Sequence, residues 1–291
     1  MKDSSRGSLL MLSALLAFAF ANLTLGIASA RETNPSIGPL LTLSRANALV
    51  LGASHGRARA ISVFQGPDGL EGIVVALKSK KSTHSIIWAT PNAKALLIGN
   101  LVDAKGQNLN EQAEVAQGLR LDPADALHIA AQTASMSTVT PGSGPILTFF
   151  IDPNCIFCNR LYRLIMPDVQ AGRLRVRFVL VGIVKQDSPQ RAESILSSSN
   201  RLQAIAHDEM DFDVALEEGG YPITDQPTSK AVAALAANDA LMSRMGAVGT
   251  PTLLYCSKAA DGRVEMLKGV PADFPRFVTD LASGPSPACH G

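Results

Sequence analysis

The chain has 291 residues, of which 46% are hydrophobic, and this length is more than one typical domain needs. Its 26 Lys and Arg residues nearly balance 25 Asp and Glu residues, giving a formal net charge of +1. A balance this even gives no support to nucleic acid or an anionic membrane surface as a partner, and we expect no nucleic-acid binding.

Residues 1–30 have the pattern of a secretory signal peptide. Lys2 and Arg6 begin it, an apolar stretch covers 9–20, and Ala28-Ser29-Ala30 supplies the cleavage site. An uncleaved membrane anchor is the alternative, but the stretch is short and ends in small residues. Without this leader the chain keeps 24 basic and 24 acidic residues. We therefore predict export to a compartment where disulfides form.

Residues 31–108 are predicted to form a small N-terminal domain. A poorly structured lead-in to about residue 45 precedes short strands at 60–64, 71–77, 85–90 and 95–101, with turns at 67–69 and 91–92. This antiparallel sheet would have little core of its own and no group of chemically active residues. Such a sheet often completes its burial by pairing with a second copy, so we expect a dimerisation domain.

Residues 109–143 are predicted to be a helical linker. The stretch 110–135 is helical in character and restarts at Asp122, an N-cap, with Pro123 in the first helical position. A long helix between two domains would serve as a spacer. Residues 135–144, rich in Ser, Thr, Gly and Pro, predict a hinge.

Residues 144–285 are predicted to form the second domain, followed by a tail at 286–291. Strands are expected at 145–151, 174–182, 252–256 and 263–268, and helices after the first strand, at 188–198, at 201–208, at 228–245 and from Asp273. The first two strands form a βαβ unit and should be parallel, whereas the last two should form a hairpin. This order is a thioredoxin-type α/β layout with a helical insertion.

Cys155 and Cys158 open the first helix of this domain, after Asp152-Pro153-Asn154 breaks the apolar strand. Strand, break, C-x-x-C and helix are the setting of a redox-active pair. At a helix N-terminus, unpaired N–H groups and the dipole favour the thiolate, which is the form that attacks disulfides. We predict that Cys155 is the nucleophile and that Cys158, leading into the apolar face, is the more buried resolving thiol.

Two other functions for the C-x-x-C pair are possible. A zinc site would need two more ligands at suitable spacing, and Cys256 and Cys289 are isolated, with no His pair beside them. A purely structural Cys155–Cys158 disulfide could form in an exported chain, but the short loop that it closes would add little to the stability of the fold. Redox chemistry is therefore favoured, with neither metal nor organic cofactor.

Thr250-Pro251 directly precedes the predicted strand 252–256. Proline cannot donate to a sheet ladder, so it is tolerated only at a strand's start or in a special turn. Its place before an apolar strand, well after a C-x-x-C pair, predicts a cis Thr250–Pro251 bond that presents the Thr250 backbone to whatever lies over Cys155. An ordinary trans turn proline is the alternative.

Several motifs occur together in order along the chain. They are residues 150–158 (FIDPNCIFC), 180–185 (LVGIVK) with Ser188-Pro189, 238–242 (NDALM), 249–251 (GTP), 269–271 (GVP), 69–72 (GLEG) and 103–109 (DAKGQNL). Together they resemble the bacterial periplasmic DsbC/DsbG family of protein disulfide isomerases, and the DsbG branch more closely. The resemblance covers nearly all of the chain after the leader.

This resemblance implies a V-shaped periplasmic homodimer in which a small α+β domain of cystatin type makes the dimer contact and the thioredoxin-like domain is catalytic. It also implies a membrane thiol reductant of the DsbD type as partner. By position, Cys155 is the nucleophile, Cys158 the resolving thiol, and Thr250 and Pro251 form the substrate-binding loop. The dipeptide Ile156-Phe157 departs from the family's usual small residue or Pro followed by Tyr. We therefore expect the helix terminus and Arg160 to stabilise the thiolate.

The leading hypothesis is a thiol–disulfide oxidoreductase in which Cys155 attacks wrong disulfides of exported proteins, giving isomerisation or, with Cys158, reduction. Reduction of sulfenic acids on single cysteines uses the same attack, and the sequence does not separate the two. The non-enzymatic alternative is a periplasmic chaperone or assembly module with incidental cysteines. Full cellular function in a Cys155→Ala variant would favour that alternative.

The remaining cysteines, Cys256 and Cys289, lie at the end of a predicted strand and in a tail rich in Gly, Ser and Pro. In an oxidising compartment two thiols on one short tether pair if the geometry permits. We predict a structural Cys256–Cys289 disulfide, the alternative being a buried free Cys256 and a loose tail.

Overall fold

A computed structural model of the chain describes residues 41–78, 84–132 and 137–283. The predicted signal peptide, most of the lead-in and the predicted tail lie outside these residues. Within the described ranges, no helix combines the length and the apolar character that crossing a membrane requires.

The N-terminal part contains one helix and a four-stranded antiparallel sheet in the order β1-β2-β3-β4. Its elements are α1 (Leu43–Ala53), β1 (Ala58–Gln65), β2 (Glu71–Leu77), β3 (His84–Ala89) and β4 (Leu96–Leu97). The first three predicted strands are confirmed. The fourth is much shorter than the predicted 95–101, and α1 was not predicted.

Both faces of this sheet are covered. Helix α1 packs Ala46 and Val50 against one face, which includes Ile73 of β2. The opposite face carries Val74 and Trp88 and is covered partly by α2 (Leu109–Ala116). The sheet therefore has more core than its sequence indicated, because the segments before and after it supply the covering side chains.

The predicted helical stretch is two helices, α2 and α3 (Pro123–Gln132), separated by non-helical residues 117–122. Helix α3 begins at Pro123 as predicted, and the Asp122 carboxylate accepts a hydrogen bond from the Ala124 N–H at 2.8 Å. Leu127 of α3 is buried among residues of the second sheet. The prediction of a long spacer helix is therefore wrong, since α3 is packed onto this sheet along its length.

The second sheet has five strands in the order β5-β7-β6-β8-β9. They are β5 (Thr138–Val139), β6 (Ile146–Ile151), β7 (Arg175–Leu180), β8 (Thr252–Cys256) and β9 (Val264–Lys268), and the helices are α4 (Ile156–Gln170), α5 (Ser188–Ser197), α6 (Arg201–Met210), α7 (Ser229–Arg244) and α8 (Phe274–Asp280). Strands β6 and β7 are parallel, and β8 and β9 form an antiparallel hairpin. The predicted βαβ unit, hairpin and helical insertion are confirmed, so the domain has the thioredoxin-like layout.

Strand β6 separates two layers of core. Leu147, Phe149 and Ile151 face the layer that contains α4 and α8, whereas Phe150 faces the layer that contains α3. All six residues of β6 are buried, as expected of a central strand covered on both faces. The end of β6 is therefore a rigid point from which the following loop is positioned.

Candidate active site

The loop after β6 is held by the carboxylate of Asp152, which is fully buried. Its Oδ1 atom accepts hydrogen bonds from the Asn154 N–H at 2.9 Å and the Ser188 hydroxyl at 2.8 Å. Its Oδ2 atom accepts from the N–H groups of Ile183 at 2.7 Å and Val184 at 2.9 Å. One carboxylate thus joins the loop after β6 to the loop after β7 and to the start of α5. The sequence pattern indicated only that Asp152 ends the strand, so this function of its carboxylate was not predicted.

Cys155 is the N-cap residue of α4, and its Sγ atom accepts a hydrogen bond from the Cys158 N–H at 3.2 Å. Both cysteines are free thiols in the structure. Cys155 retains 5% of its exposure, whereas Cys158 retains none. This is the order of exposure that the sequence predicted, although even Cys155 is largely covered.

The two thiols differ in acidity. A hydrogen bond from the Cys158 thiol, with further ones from Thr250 and the Cys158 backbone, lowers the pKa of Cys155 to about 7 against the effect of its burial. Burial raises the pKa of Cys158, and the neighbouring Cys155 raises it further. Near neutral pH, Cys155 is therefore the thiol that ionises.

Thr250 lies beside Cys155, whose thiol donates a hydrogen bond to the Thr250 carbonyl oxygen at 3.4 Å. The Thr250–Pro251 peptide bond is cis, as predicted. The Thr250 hydroxyl is buried and has no hydrogen-bond partner among the described residues, yet it contributes to the low pKa of Cys155. A donor that lacks an acceptor beside the thiol gains one when Cys155 ionises, so this hydroxyl favours the thiolate.

Pro251 is held at the start of β8. The Thr252 hydroxyl donates to the Gly249 carbonyl oxygen at 2.8 Å, and the Gly269 N–H donates to the Pro251 carbonyl oxygen at 2.8 Å. Thr252 also pairs with Phe150 of β6 across the antiparallel ladder. This pairing brings the loop before β8 to the loop after β6, so all four predicted site residues lie in one place.

The dipeptide between the cysteines is more apolar and more exposed than its surroundings. Phe157 retains 58% of its exposure, and Val248 in the loop before Pro251 retains 92%. Arg160 is solvent-exposed and is not among the principal groups that lower the pKa of Cys155. The prediction that Arg160 helps to stabilise the thiolate is therefore corrected: Cys158 and Thr250 do this.

A buried carboxyl group, Glu209 of α6, contacts Asn159, the residue after Cys158, and was not predicted from the sequence. The Asn159 side-chain amide donates to its Oε2 atom at 2.8 Å and to its backbone carbonyl oxygen at 2.6 Å. Burial, with the charge of Asp208, raises the pKa of Glu209 well above its usual range. One signal in the sequence was available: Glu209 lies four residues after the buried Ile205, on the apolar face of the helix.

Cys256 is disulfide-bonded, whereas Cys289 lies outside the described residues, so their predicted pairing stays a prediction. Over the three described ranges, no three His, Cys, Asp or Glu residues are grouped so that they could hold a metal ion.

A family model described as a thioredoxin-like domain matches residues 132–279, more than half of the chain. The chain belongs to this thioredoxin-like family. Two curated relatives, both named thiol:disulfide interchange protein DsbG, match beyond that domain. The protein from Pseudomonas aeruginosa is 29% identical over 255 residues, covering 86% of this chain and 89% of the relative. The Escherichia coli protein is 24% identical over 215 residues, covering 72% and 82%.

Solved structures of thioredoxin-like proteins are also similar to the chain. A periplasmic thioredoxin-like protein from Salmonella enterica serovar Typhimurium has a TM-score of 0.41 and 19% identity, covering 52% of this chain and 92% of its own. DsbG from Helicobacter pylori has a TM-score of 0.30 and 14% identity, covering 72% and 98%. The family match and the curated relatives confirm the DsbC/DsbG resemblance, and this thioredoxin-like chain is a thiol–disulfide oxidoreductase.

Proposed function

We propose that reduced Cys155 attacks non-native disulfides of exported proteins and that Cys158 resolves the mixed disulfide. The observation that carries this proposal is the position of the Cys155 Sγ atom, between the Cys158 N–H at 3.2 Å and the Thr250 carbonyl at 3.4 Å. With a pKa of about 7, roughly half of Cys155 is thiolate at neutral pH. The fully buried Cys158 thiol stays protonated and is available for the second step.

In the first step the Cys155 thiolate forms a bond to one sulfur of a substrate disulfide. The substrate's own S–S bond breaks, and its other sulfur leaves as a thiolate that takes a proton from solvent. For isomerisation, a different substrate thiolate then attacks the mixed disulfide and releases Cys155 as a thiolate. For reduction, Cys158 attacks the Cys155 sulfur, which leaves the protein with a Cys155–Cys158 disulfide and releases the substrate reduced.

A protein that ends in the disulfide form needs a source of electrons, and we propose a membrane thiol reductant of the DsbD type. The relatives named DsbG support this partner only by analogy. A sulfenic acid on a single cysteine is a second substrate for the same thiolate, with hydroxide leaving as water after protonation. The Cys155 thiolate would make the attack on either substrate.

Thr250 and Pro251 are proposed to bind the substrate chain. Because the Thr250 carbonyl oxygen lies against Cys155, an extended segment that pairs with this backbone would place its sulfur at Cys155. The side chains of Phe157, between the two cysteines in sequence, and of Val248, two residues before Thr250, are exposed and apolar. They support the binding of a partly unfolded substrate, whose apolar residues are accessible.

Export to the periplasm and assembly as a homodimer through residues 31–108 complete the proposal. The catalytic domain would then comprise the predicted range 144–285 together with α3 and β5, which lie in the predicted linker 109–143 but belong to the second sheet and its cover. Leu97, Ile98 and Val102 of the N-terminal part are exposed, and Ile98 retains 75% of its exposure. Neighbouring apolar side chains left in solvent support an interface with a second copy.

The test is reactivation of a scrambled disulfide protein and reduction of a model disulfide, with Cys155→Ser and Cys158→Ser compared. We expect Cys155→Ser to lose both activities and Cys158→Ser to accumulate a mixed disulfide with substrate. Full activity of Cys155→Ser in both assays would contradict the proposal. If that variant also kept all cellular function, the chaperone alternative would replace it.

A further inference from the structure

The Thr250 loop, residues 246–251, connects the end of α7 to β8 and carries the backbone proposed above to bind substrate. Its base is anchored, because Met245 and Ala247 are buried in the core cluster that also contains α3. Further along, Val248 and Gly249 are exposed. The position of Thr250 therefore depends on what holds the two ends of the loop.

Arg120, in the segment 117–122 between α2 and α3, covers the first end of the loop. Gly246 has a φ of +69°, and a Cβ atom added there would lie 2.5 Å from the guanidinium carbon of Arg120. Beside this contact, the Leu121 N–H donates a hydrogen bond to the Arg244 carbonyl oxygen at 2.8 Å. A glycine at position 246 is therefore needed for the close approach of Arg120 as well as for its positive φ.

The Arg120 side chain is itself held in place by α2. Its Nη2 atom lies 2.5 Å from the Glu114 carboxylate, and its Nη1 atom lies 3.3 Å from the Glu111 carboxylate. The side chain is only 15% exposed. A planar guanidinium between two carboxylates has little freedom to move, so its place over Gly246 follows the position of α2.

The second end of the loop is also connected to α2. Lys268 of β9 pairs with Thr252 of β8, and the N–H of the next residue, Gly269, donates to the Pro251 carbonyl oxygen at 2.8 Å. The Lys268 ammonium binds the Glu111 carboxylate at 3.1 Å. Both partners of this ion pair are 39% exposed, and such a pair contributes little on its own. Arg120 is therefore the stronger of the two supports.

We propose that Arg120 is a positioning residue for substrate binding, which holds the Thr250 loop against Cys155 by covering Gly246. This rests on the role proposed above for Thr250 and Pro251. An extended protein substrate has to pair with the Thr250 backbone, so its binding should depend on Arg120. A small disulfide needs only the Cys155 sulfur, so its reaction should not. The segment that follows the N-terminal sheet thus supports the active site in addition to connecting the two parts.

The experiment compares two disulfide probes with the same leaving group, using reduced full-length protein. One probe is an extended peptide whose single cysteine is bonded to thionitrobenzoate, and the other is N-acetylcysteine amide bonded in the same way. Attack by the Cys155 thiolate on the cysteine sulfur of either probe breaks its S–S bond and releases coloured thionitrobenzoate. The ratio of the two second-order rate constants measures the contribution of the peptide backbone, since a change in the pKa of Cys155 affects both rates equally.

We expect Arg120→Ala to lower this ratio about tenfold, because a slightly misplaced loop no longer pairs with the peptide. Arg173→Ala, which removes an arginine that is ion-paired with Asp168, should keep the wild-type ratio. Gly246→Ala should lower the ratio as well, because its Cβ atom displaces the Arg120 guanidinium. Gly172→Ala is its control, since Gly172 has a similar φ of +71° but nothing within 4 Å of an added Cβ.

A ratio for Arg120→Ala within about twofold of the wild type would overturn the proposal, even if the variant were less stable in urea. If Arg120→Ala does not fold, the two glycine variants decide. A loss confined to Gly246→Ala supports the proposal, and equal ratios for Gly246→Ala and Gly172→Ala overturn it. A wild-type ratio near one would instead contradict substrate binding by Thr250 and Pro251, and this inference with it. Release from neither probe would contradict the role of Cys155.

Discussion

The Cys155 thiol donates a hydrogen bond to the carbonyl oxygen of Thr250 at 3.4 Å, although the two residues are 95 positions apart in the chain. Cys155 and Thr250 come together in space because Phe150, near the end of β6, pairs with Thr252 at the start of β8. The residues that follow one strand and precede the other therefore meet at the same edge of the sheet. The environment of the Cys155 sulfur is set by this strand pairing as well as by the helix that begins at Cys155.

The first prediction concerns the reactivity of the two thiols. With a pKa of about 7, alkylation of Cys155 in the reduced protein should rise with pH and reach half its maximal rate near pH 7. Cys158 is fully buried and has a raised pKa, so it should react much later. Mass spectrometry after timed alkylation with a small reagent identifies the modified residue. Labelling of Cys158 before Cys155 would reverse the proposed roles.

The second prediction concerns the Thr250 hydroxyl. Thr250→Val keeps the shape of the side chain and removes the donor, so the thiolate loses one charge-assisted hydrogen bond. We expect the pKa of Cys155 to rise and its thiolate population near neutral pH to fall roughly tenfold. Ultraviolet absorbance of the thiolate against pH measures this. Thr250→Ser keeps the donor and is the control. Equal pKa values of Cys155 in the two variants would show that the Thr250 hydroxyl does not stabilise the thiolate.

The catalytic half of the fold was predictable because its signals are local. The C-x-x-C pair, the proline at the start of β8 and the βαβ order each lie in a short stretch whose neighbours limit its structure. Helix α1 was missed because 43–53 lacks acidic residues in its first turn and basic ones in its last. Its place is set by packing of Ala46 and Val50 on the sheet.

The electrostatic part of the site was not predictable, because burial decides it. Asp152 and Glu209 read as ordinary polar residues until the loops and helices around them are in place. Their carboxylates then lie in the core, and hydrogen bonds to Ser188 and Asn159 define what they do. Arg160 is the opposite case: it is close to Cys158 in sequence, but in the structure its side chain is exposed to solvent.

The third prediction is a pH dependence of stability due to Asp208. Burial raises the pKa of Asp208 from its ordinary 3.8 to about 7. The pKa of Asp208 is higher in the folded state than in the unfolded state. Its contribution to the free energy of unfolding is therefore fully present below about pH 4 and is lost as the pH rises through about 7. Three pKa units correspond to roughly 4 kcal/mol in the free energy of unfolding.

Urea unfolding of reduced protein at about pH 4 and about pH 8 tests the Asp208 effect. The side chain at position 208 in the Asp208→Asn variant cannot ionise. The free energy of unfolding of this variant, relative to that of the wild type, should therefore increase by up to roughly 4 kcal/mol from about pH 4 to about pH 8. Asp225→Asn, at an exposed position of the same insertion, should follow the wild type at both. Parallel pH profiles for Asp208→Asn and the wild type would show that Asp208 is not buried as a protonated acid.

The fourth prediction concerns Cys256, which is disulfide-bonded in the structure. Peptide mapping under non-reducing conditions should recover Cys256 linked to Cys289. A loop of this length stabilises the folded state by roughly 4 kcal/mol, so Cys289→Ser should lower the melting temperature. It should leave the pKa of Cys155 unchanged. A Cys289 that alkylates in native, unreduced protein excludes the bridge.

The last prediction concerns assembly and rests on the separation of the cores. The buried residues around β2 and β3 form clusters distinct from the two clusters that enclose β6. Deleting residues 31–108 should therefore leave a folded monomer that reduces a model disulfide but reactivates scrambled protein poorly, because two arms no longer enclose one substrate. Ile98→Lys in the full chain is the milder test, since it places a charge among the exposed apolar residues. Sedimentation should show a dimer for the wild type and weaker association for Ile98→Lys, whereas a wild-type monomer at micromolar concentration would contradict the dimer.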